Sequence, residues 1–370
     1  MVDARDAVVD AATKPLASGA GTALLAARYG PELIRGAMRL FLNPKRIRRR
    51  LEGHSETVTV LAESLTDVTD EELGVDEPGL IRALKLWANG DGNKAERGVQ
   101  YGPEKGQVLD VWRSKNLDPS TPAPVLVFVP GGGWVTGTTT LQGHVLLGML
   151  AEMGWVCVST GYRTAPANRW PTHIHDVKRA LAWVHKNIAE HGGDPSRIAI
   201  AGASAGGHLA SICAFTQNNP AYQPGFEDEP TDVTAAIGIY GRYCWESRHT
   251  PEREGFMTFL ERVIVHARQE DDPELFAAAS PIGLANASAP PFFAIHGRSD
   301  AVIPIREARE FVDKLRSVSR NPVAFAQLPG TGHGFDIVDP FRASHMARAI
   351  ALFLRTTEAA AVAPKKRATV

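Results

Sequence analysis

Residues 1–95 carry apolar positions at helical spacing between turn residues, with no strong strand alternation, and read as helices and turns. In "ARYGPELIRGAMRLFLNPKRIRRR" the apolar stripe runs into a basic cluster, Lys45, Arg46, Arg48, Arg49 and Arg50. Such a stretch is either a membrane-surface anchor or a helix packed on the main domain that ends in a solvated basic turn; the second is the favoured expectation. "HSETVTVLAESLTDVTDEELG" and "GLIRALKLWANG" continue the helical pattern. From about Glu96 the pattern changes. "ERGVQYG" and "QVLDVWR" predict a pair of strands around the turn "PEKG". Short, continuously apolar runs then alternate with helical ones. "APVLVFVPG", "WVCVSTGY", "RIAIAGAS", "TAAIGIYG", "PPFFAIHG" and "PVAFAQLPG" read as strands. "GHVLLGMLAEMG", "PTHIHDVKRALAWVHKNIAEHGG", "GGHLASICAFT", "REAREFVDKLRSV" and "FRASHMARAIALFL" read as helices, the second of them started by Pro171 and stopped by paired glycines. Strands that are apolar throughout are buried on both faces. The expectation is an α/β domain over residues 96–357, with a mostly parallel central sheet flanked by helices. Residues 358–370 are expected to be a frayed tail.

Charge changes this picture little. The 40 Lys and Arg residues nearly balance the 41 Asp and Glu, so nothing global argues for nucleic acid as a partner. Cys157, Cys213 and Cys244 are odd in number and scattered, which favours reduced thiols over disulfides or zinc ligands. No stretch is long and apolar enough to span a bilayer, and "MVDARDAVVD" lacks the basic flank and apolar block of a secretory signal. The expected location is the cytoplasm. Peripheral membrane association through the basic cluster and a homodimer are the further assemblies considered.

Folds of this kind place their chemistry at the carboxyl ends of the strands. After "RIAIAGAS" the chain reads "GASAGG", which holds G-x-S-x-G as Gly202, Ser204 and Gly206 between a strand and a helix. That context is what a nucleophile elbow requires, with small neighbours around a sharply turned serine. A serine hydroxyl needs a base. The partners follow in the order serine, acid, histidine. Asp300 stands just past "PPFFAIHG" in "RSD", and His333 stands past the last strand in "TGHGF". The competitors fail on position: His345 lies on the final helix, His296 within a strand, and His208 too close along the helix to turn back onto Ser204. Asp336 is near His333 only if its loop folds back. "HIHD", His173 to Asp176, resembles a metal cluster, but its histidines point to different helix faces and no second cluster completes it. No metal and no organic cofactor is expected. In "VFVPGGGWVTG" a strand breaks into consecutive glycines, Gly131 to Gly133. A loop there can bring bare backbone N–H groups to a developing oxyanion. Gly132, Gly133 and Ala205, the residue after the serine, are the expected donors.

"PGGGW", "GYRTAPANRWP", "GASAGG", "RSD" and "GHGF" together resemble the hormone-sensitive-lipase-like branch of the α/β-hydrolases, chiefly bacterial carboxylesterases. "GGDPSRIAIAGASAGGHLAS" and "QPGFEDEPTDVTAAIGIYG" resemble the actinobacterial esterases of that branch. The resemblance implies the α/β-hydrolase fold and hydrolysis of short- to medium-chain acyl esters through an acyl-enzyme. It also implies a helical cap built from the N-terminal segment and an insertion at about residues 242–279. Trp134, Trp245, Phe256, Met257 and Phe259 are then candidate walls of an acyl pocket, with ordinary packing an equal reading for the four in the insertion. Two positions depart from the family pattern: Pro130 replaces the leading histidine of the glycine motif, and Ala203 replaces the aspartate before the serine. The same machinery acting on amides, and a ligand-binding protein without catalysis, are the alternatives.

Overall fold

The computed structural model describes residues 54–362, apart from 67, 75, 90–92, 119 and 140–141. The basic cluster at Lys45 to Arg50 lies outside the described residues. Three helices come first, α1 (His54–Glu63), α2 (Asp70–Leu73) and α3 (Glu77–Asn89). Then follow β1 (Lys94–Gln100), β2 (Val108–Trp112), β3 (Ala123–Val129), α4 (His144–Glu152), β4 (Val156–Thr160), α5 (Thr172–Asn187), β5 (Gly193–Ala203), α6 (Ala205–Phe215) and β6 (Ala235–Ile239). After β6 come α7 (Pro251–Phe259), a wider π-type turn Leu260–Val265, α8 (Pro273–Ala278) and α9 (Pro281–Leu284). The chain closes with β7 (Phe292–Gly297), α10 (Ile305–Val318), β8 (Val323–Leu328), α11 (Phe335–Val338) and α12 (Pro340–Val362).

The strands form one eight-stranded sheet in the order β1-β2-β4-β3-β5-β6-β7-β8. β1, β2 and β4 pair antiparallel, and every pair from β4–β3 through β7–β8 is parallel. Side chains alternate across each strand, and both faces are covered. On β3, Val125, Val127 and Val129 join the core that contains Leu181 of α5 and Leu209 of α6, while Leu126 and Phe128 join the core under α4 and α12. This two-sided burial is why the strands read as unbroken apolar runs.

Of the N-terminal segment expected in a cap, Leu61 and Ala62 of α1 and Ala83 and Leu86 of α3 pack into the second core, as a layer on the sheet face with α4 and α12. The tail expectation is corrected at one end: α12 continues through residues 358–362, and Glu358 pairs with Arg197 across to β5. The run "EAAA" has high helix propensity and extends the preceding helix. Among the described residues no helix is long and apolar enough to cross a membrane. All three cysteines are free, and burial pushes the Cys157 and Cys213 thiols up.

Candidate active site

Ser204 sits between the end of β5 and the first residue of α6, with φ 55° and ψ −118°. A non-glycine residue rarely adopts this backbone, and the surroundings hold it there. The Ser204 N–H donates to the Ile239 carbonyl of β6 at 2.9 Å, and the Ser204 carbonyl accepts from His208 N in the first turn of α6 at 3.1 Å. The turn is so tight that a Cβ at Gly206 would overlap the Val129 carbonyl and lie 2.8 Å from the Pro130 oxygen. The small residues of "GASAGG" are therefore steric requirements.

The loops after β7 and β8 bring two further side chains to the serine. His333 Nε2 lies 2.9 Å from Ser204 Oγ, and His333 Nδ1 lies 2.8 Å from Asp300 Oδ2. With the Nδ1 proton donated to the carboxylate, Nε2 is left to accept from the serine hydroxyl. The carboxylate is itself fixed. Asp300 Oδ1 accepts from the Val302 and Ile303 N–H groups at 2.9 and 2.8 Å, and Oδ2 lies 3.3 Å from His296 Nε2. Burial alone would push its pKa up, but hydrogen bonds from His296, His333 and the Ile303 amide outweigh this and hold the carboxyl well below the usual range. It is a carboxylate at neutral pH. Asp336, the competing acid, is hydrogen-bonded to the Tyr240 hydroxyl, and burial raises its pKa. His345 lies against the Leu73 carbonyl on the far core.

The glycine loop follows β3. Gly132, Gly133 and Trp134 all have positive φ, 127°, 60° and 60°. Among the described residues, the N–H groups of Gly132 and Gly133 have no protein acceptor. Ala205 opens α6, where backbone N–H groups have no intrahelical partner. The ties that hold this loop were not legible in the sequence. Gln142 Oε1 accepts from Gly131 N at 2.6 Å, and the Tyr162 hydroxyl lies 3.1 and 3.4 Å from the Pro130 and Thr136 carbonyls, bridging the loop's two ends. One of these contacts is to Pro130 itself, at the position where the resemblance implies a histidine. The two glycines differ in kind. A Cβ at Gly132 would overlap Thr136 Oγ1 and lie 2.6 Å from the Thr136 carbonyl, whereas at Gly133 it meets only Val135 Cγ2, at 3.9 Å. Gly133→Ala is therefore expected to cost about 1 kcal/mol of stability and Gly132→Ala distinctly more. Gly133→Ala should still lose at least about tenfold in kcat, about 1.4 kcal/mol of barrier. Thermal melts and kinetics on the same preparations check this; a folded Gly133→Ala enzyme with wild-type kcat would make the loop a turn and nothing more.

The pocket expectation is corrected: of the five candidate walls, three are buried in the structure, Trp134, Trp245 and Met257. Trp245 and Met257 are fully buried. Trp245 stacks on His208 with ring centroids 4.5 Å apart and meets Trp134 and Trp170 edge-on or tilted at 5.0 Å. Both are interior packing, because the insertion folds its apolar side chains against α6 and the glycine loop. Phe256 and Phe259 are partly buried, and the Arg242 guanidinium lies 3.8 Å from the Phe256 ring centroid. The root of the insertion is fixed by buried Glu307, which accepts from Arg242 Nη1 at 2.8 Å and from the Tyr243 and Cys244 N–H groups at 2.6 and 3.2 Å. "HIHD" is structural. His173 Nε2 lies 3.2 Å from the Trp134 carbonyl, and buried Asp176 accepts from Arg163 N, Nε and Nη2 at 2.9, 2.9 and 2.8 Å and from Gln107 Nε2 at 2.6 Å. Among the described residues no group of three or more His, Cys, Asp or Glu could hold a metal ion.

A mostly parallel sheet, helices on both faces and a serine on a strained turn after a central strand constitute the α/β-hydrolase fold. The BD-FAE family model matches residues 109–315. The chain is 45% identical over 352 residues to esterase LipC of Mycobacterium tuberculosis, covering 94% of this chain and 87% of that protein. It is 46% identical over 281 residues to the probable carboxylic ester hydrolase LipM of the same organism, covering 75% of this chain and 64% of LipM. Esterase 2 of Thermogutta terrifontis, solved with butyrate bound, superposes with a TM-score of 0.59 at 23% identity, covering 74% of this chain and 97% of that one, and supports the fold. The chain belongs to the hormone-sensitive-lipase-like carboxylesterases of the α/β-hydrolase superfamily.

Proposed function

We propose that Ser204, His333 and Asp300 form the catalytic triad of this carboxylesterase and that its substrates are short- to medium-chain acyl esters. The observation that carries the reading is the unbroken hydrogen-bonded line from Asp300 through His333 to Ser204. His333 Nε2 takes the Ser204 proton as Oγ attacks the ester carbonyl, and Asp300 orients the ring and stabilises its cation. The carbonyl oxygen gains negative charge and is met by the N–H groups of Gly132, Gly133 and Ala205. His333 returns the proton to the departing alcohol. Water then enters, gives a proton to His333 and attacks the acyl-enzyme, which releases the carboxylic acid and restores Ser204.

The preference for modest acyl length is carried by the resemblance to the bacterial carboxylesterases of the family. A series of p-nitrophenyl esters from acetate to palmitate, run beside the matching anilides, tests it. The expected kcat/KM peaks between two and about eight acyl carbons, with the anilides far slower. Faster anilides would make the chain an amide hydrolase, and a peak at palmitate would overturn the acyl-length assignment.

A further inference from the structure

One buried side chain outside the triad touches three parts of the site. His208 lies one turn after Ser204 on α6 and is fully buried. Its Nδ1 lies 3.3 Å from Trp134 Nε1, and its Nε2 lies 2.7 Å from the Ala279 carbonyl at the end of the insertion. The two contacts define its state. The indole N–H can only donate, so Nδ1 accepts; the carbonyl can only accept, so Nε2 carries the proton. Burial holds the imidazole down at about 3, so it remains neutral and keeps Nδ1 free to accept.

Trp134 is where that acceptor matters. It closes a run of three positive-φ residues and, unlike the two before it, it is not glycine. A left-handed tryptophan costs of order 1–3 kcal/mol and persists only when its surroundings over-determine it. Here its carbonyl accepts from Ala165 N at 2.9 Å and lies 3.2 Å from His173 Nε2, while its indole is held by His208. The peptide next to it carries Gly133.

We infer that His208 is a positioning residue for the reaction: by holding the Trp134 indole it keeps the glycine loop in its left-handed course and the Gly132 and Gly133 N–H groups aimed at the substrate oxygen. The inference rests on the proposed role of that loop. It gives His208 a task that the nucleophile and base do not share, because it touches no reacting atom.

A double-mutant cycle tests it. His208→Phe keeps a ring against Trp245 but removes the acceptor, and Trp134→Phe keeps a ring but removes the donor. With p-nitrophenyl butyrate, each single variant is expected to lose at least about tenfold in kcat, as a misplaced catalytic group does, with KM changed little. The double variant should be no slower than the worse single one, because both break the same bond. Additive losses overturn the inference, as does a folded His208→Phe enzyme with wild-type kcat. If His208→Phe does not fold, Trp134→Phe decides it: unchanged kcat there overturns it as well. Failure of the underlying esterase reading is seen separately, as activity surviving in Ser204→Ala.

Discussion

Ser204→Ala is expected to abolish ester hydrolysis while leaving the melting temperature almost unchanged. The two outcomes have separate causes. Removing the nucleophile of a serine hydrolase costs about 10⁶ in kcat in a well-studied protease, because base and acid act only through it. Stability is spared because alanine keeps the Cβ that serine already has, and the backbone ties to Ile239 and His208 do not involve Oγ. The strain at φ 55° therefore stays. Glycine would release it: Ser204→Gly should be equally inactive yet more stable than Ser204→Ala, by roughly 1 kcal/mol or more. A fluorophosphonate should add one adduct to the wild-type enzyme and none to either variant by intact mass. Near-normal turnover in Ser204→Ala would end the esterase mechanism proposed here, and a Ser204→Gly enzyme less stable than Ser204→Ala would remove the claim of stored strain.

Arg163→Ala is expected to be the most damaging change away from the reacting atoms, lowering unfolding free energy by about 3 kcal/mol. The carboxylate of Asp176 is fully buried, and Arg163 supplies two side-chain N–H groups and one backbone N–H to it. Truncation leaves that charge with Gln107 and one backbone donor. The cost falls at the lower end for a broken buried pair because the guanidinium is itself partly open to solvent, and water can enter. Arg163→Lys keeps the charge but not the fork, and should fall between. Urea denaturation of the three proteins checks the order; an Arg163→Ala protein as stable as wild type would mean that the pair contributes nothing. The consequence reaches the site, since the segment that begins at Arg163 returns Ala165 N to the Trp134 carbonyl and Trp170 N to the Ile264 carbonyl.

Local and long-range features differed in how clearly the sequence announced them. The strands were legible because each is buried on both faces and so reads as an apolar run. The elbow was legible because one turn imposes small residues at fixed spacing around Ser204. Asp300 and His333 were legible by their place after strand ends. What holds these groups was not. Gln142 on Gly131, Tyr162 across the loop ends, and His208 on Trp134 are contacts between distant segments, and only the sheet order brings those segments together. His296 was set aside as a base for good reason, yet it proves to be a partner of the acid. For Trp245 the sequence left wall and packing as equal readings, because an aromatic in an insertion looks the same whether it lines a pocket or fills a core.

Among the described residues burial pushes four imidazoles down: His175, His173 and His345, the latter two to about 4, and His208 to about 3. In the unfolded chain each titrates near pH 6.5. Below that pH the unfolded chain takes up protons that the folded protein refuses, and each histidine then tilts the balance towards unfolding by up to about 1.4 kcal/mol per pH unit. The loss begins as pH falls through 6.5 and is complete only below the folded values. The neutrality that lets His208 accept a hydrogen bond, and so keeps the glycine loop in shape, thus makes the unfolded chain the better proton acceptor, and acid works against the enzyme by pulling the chain apart.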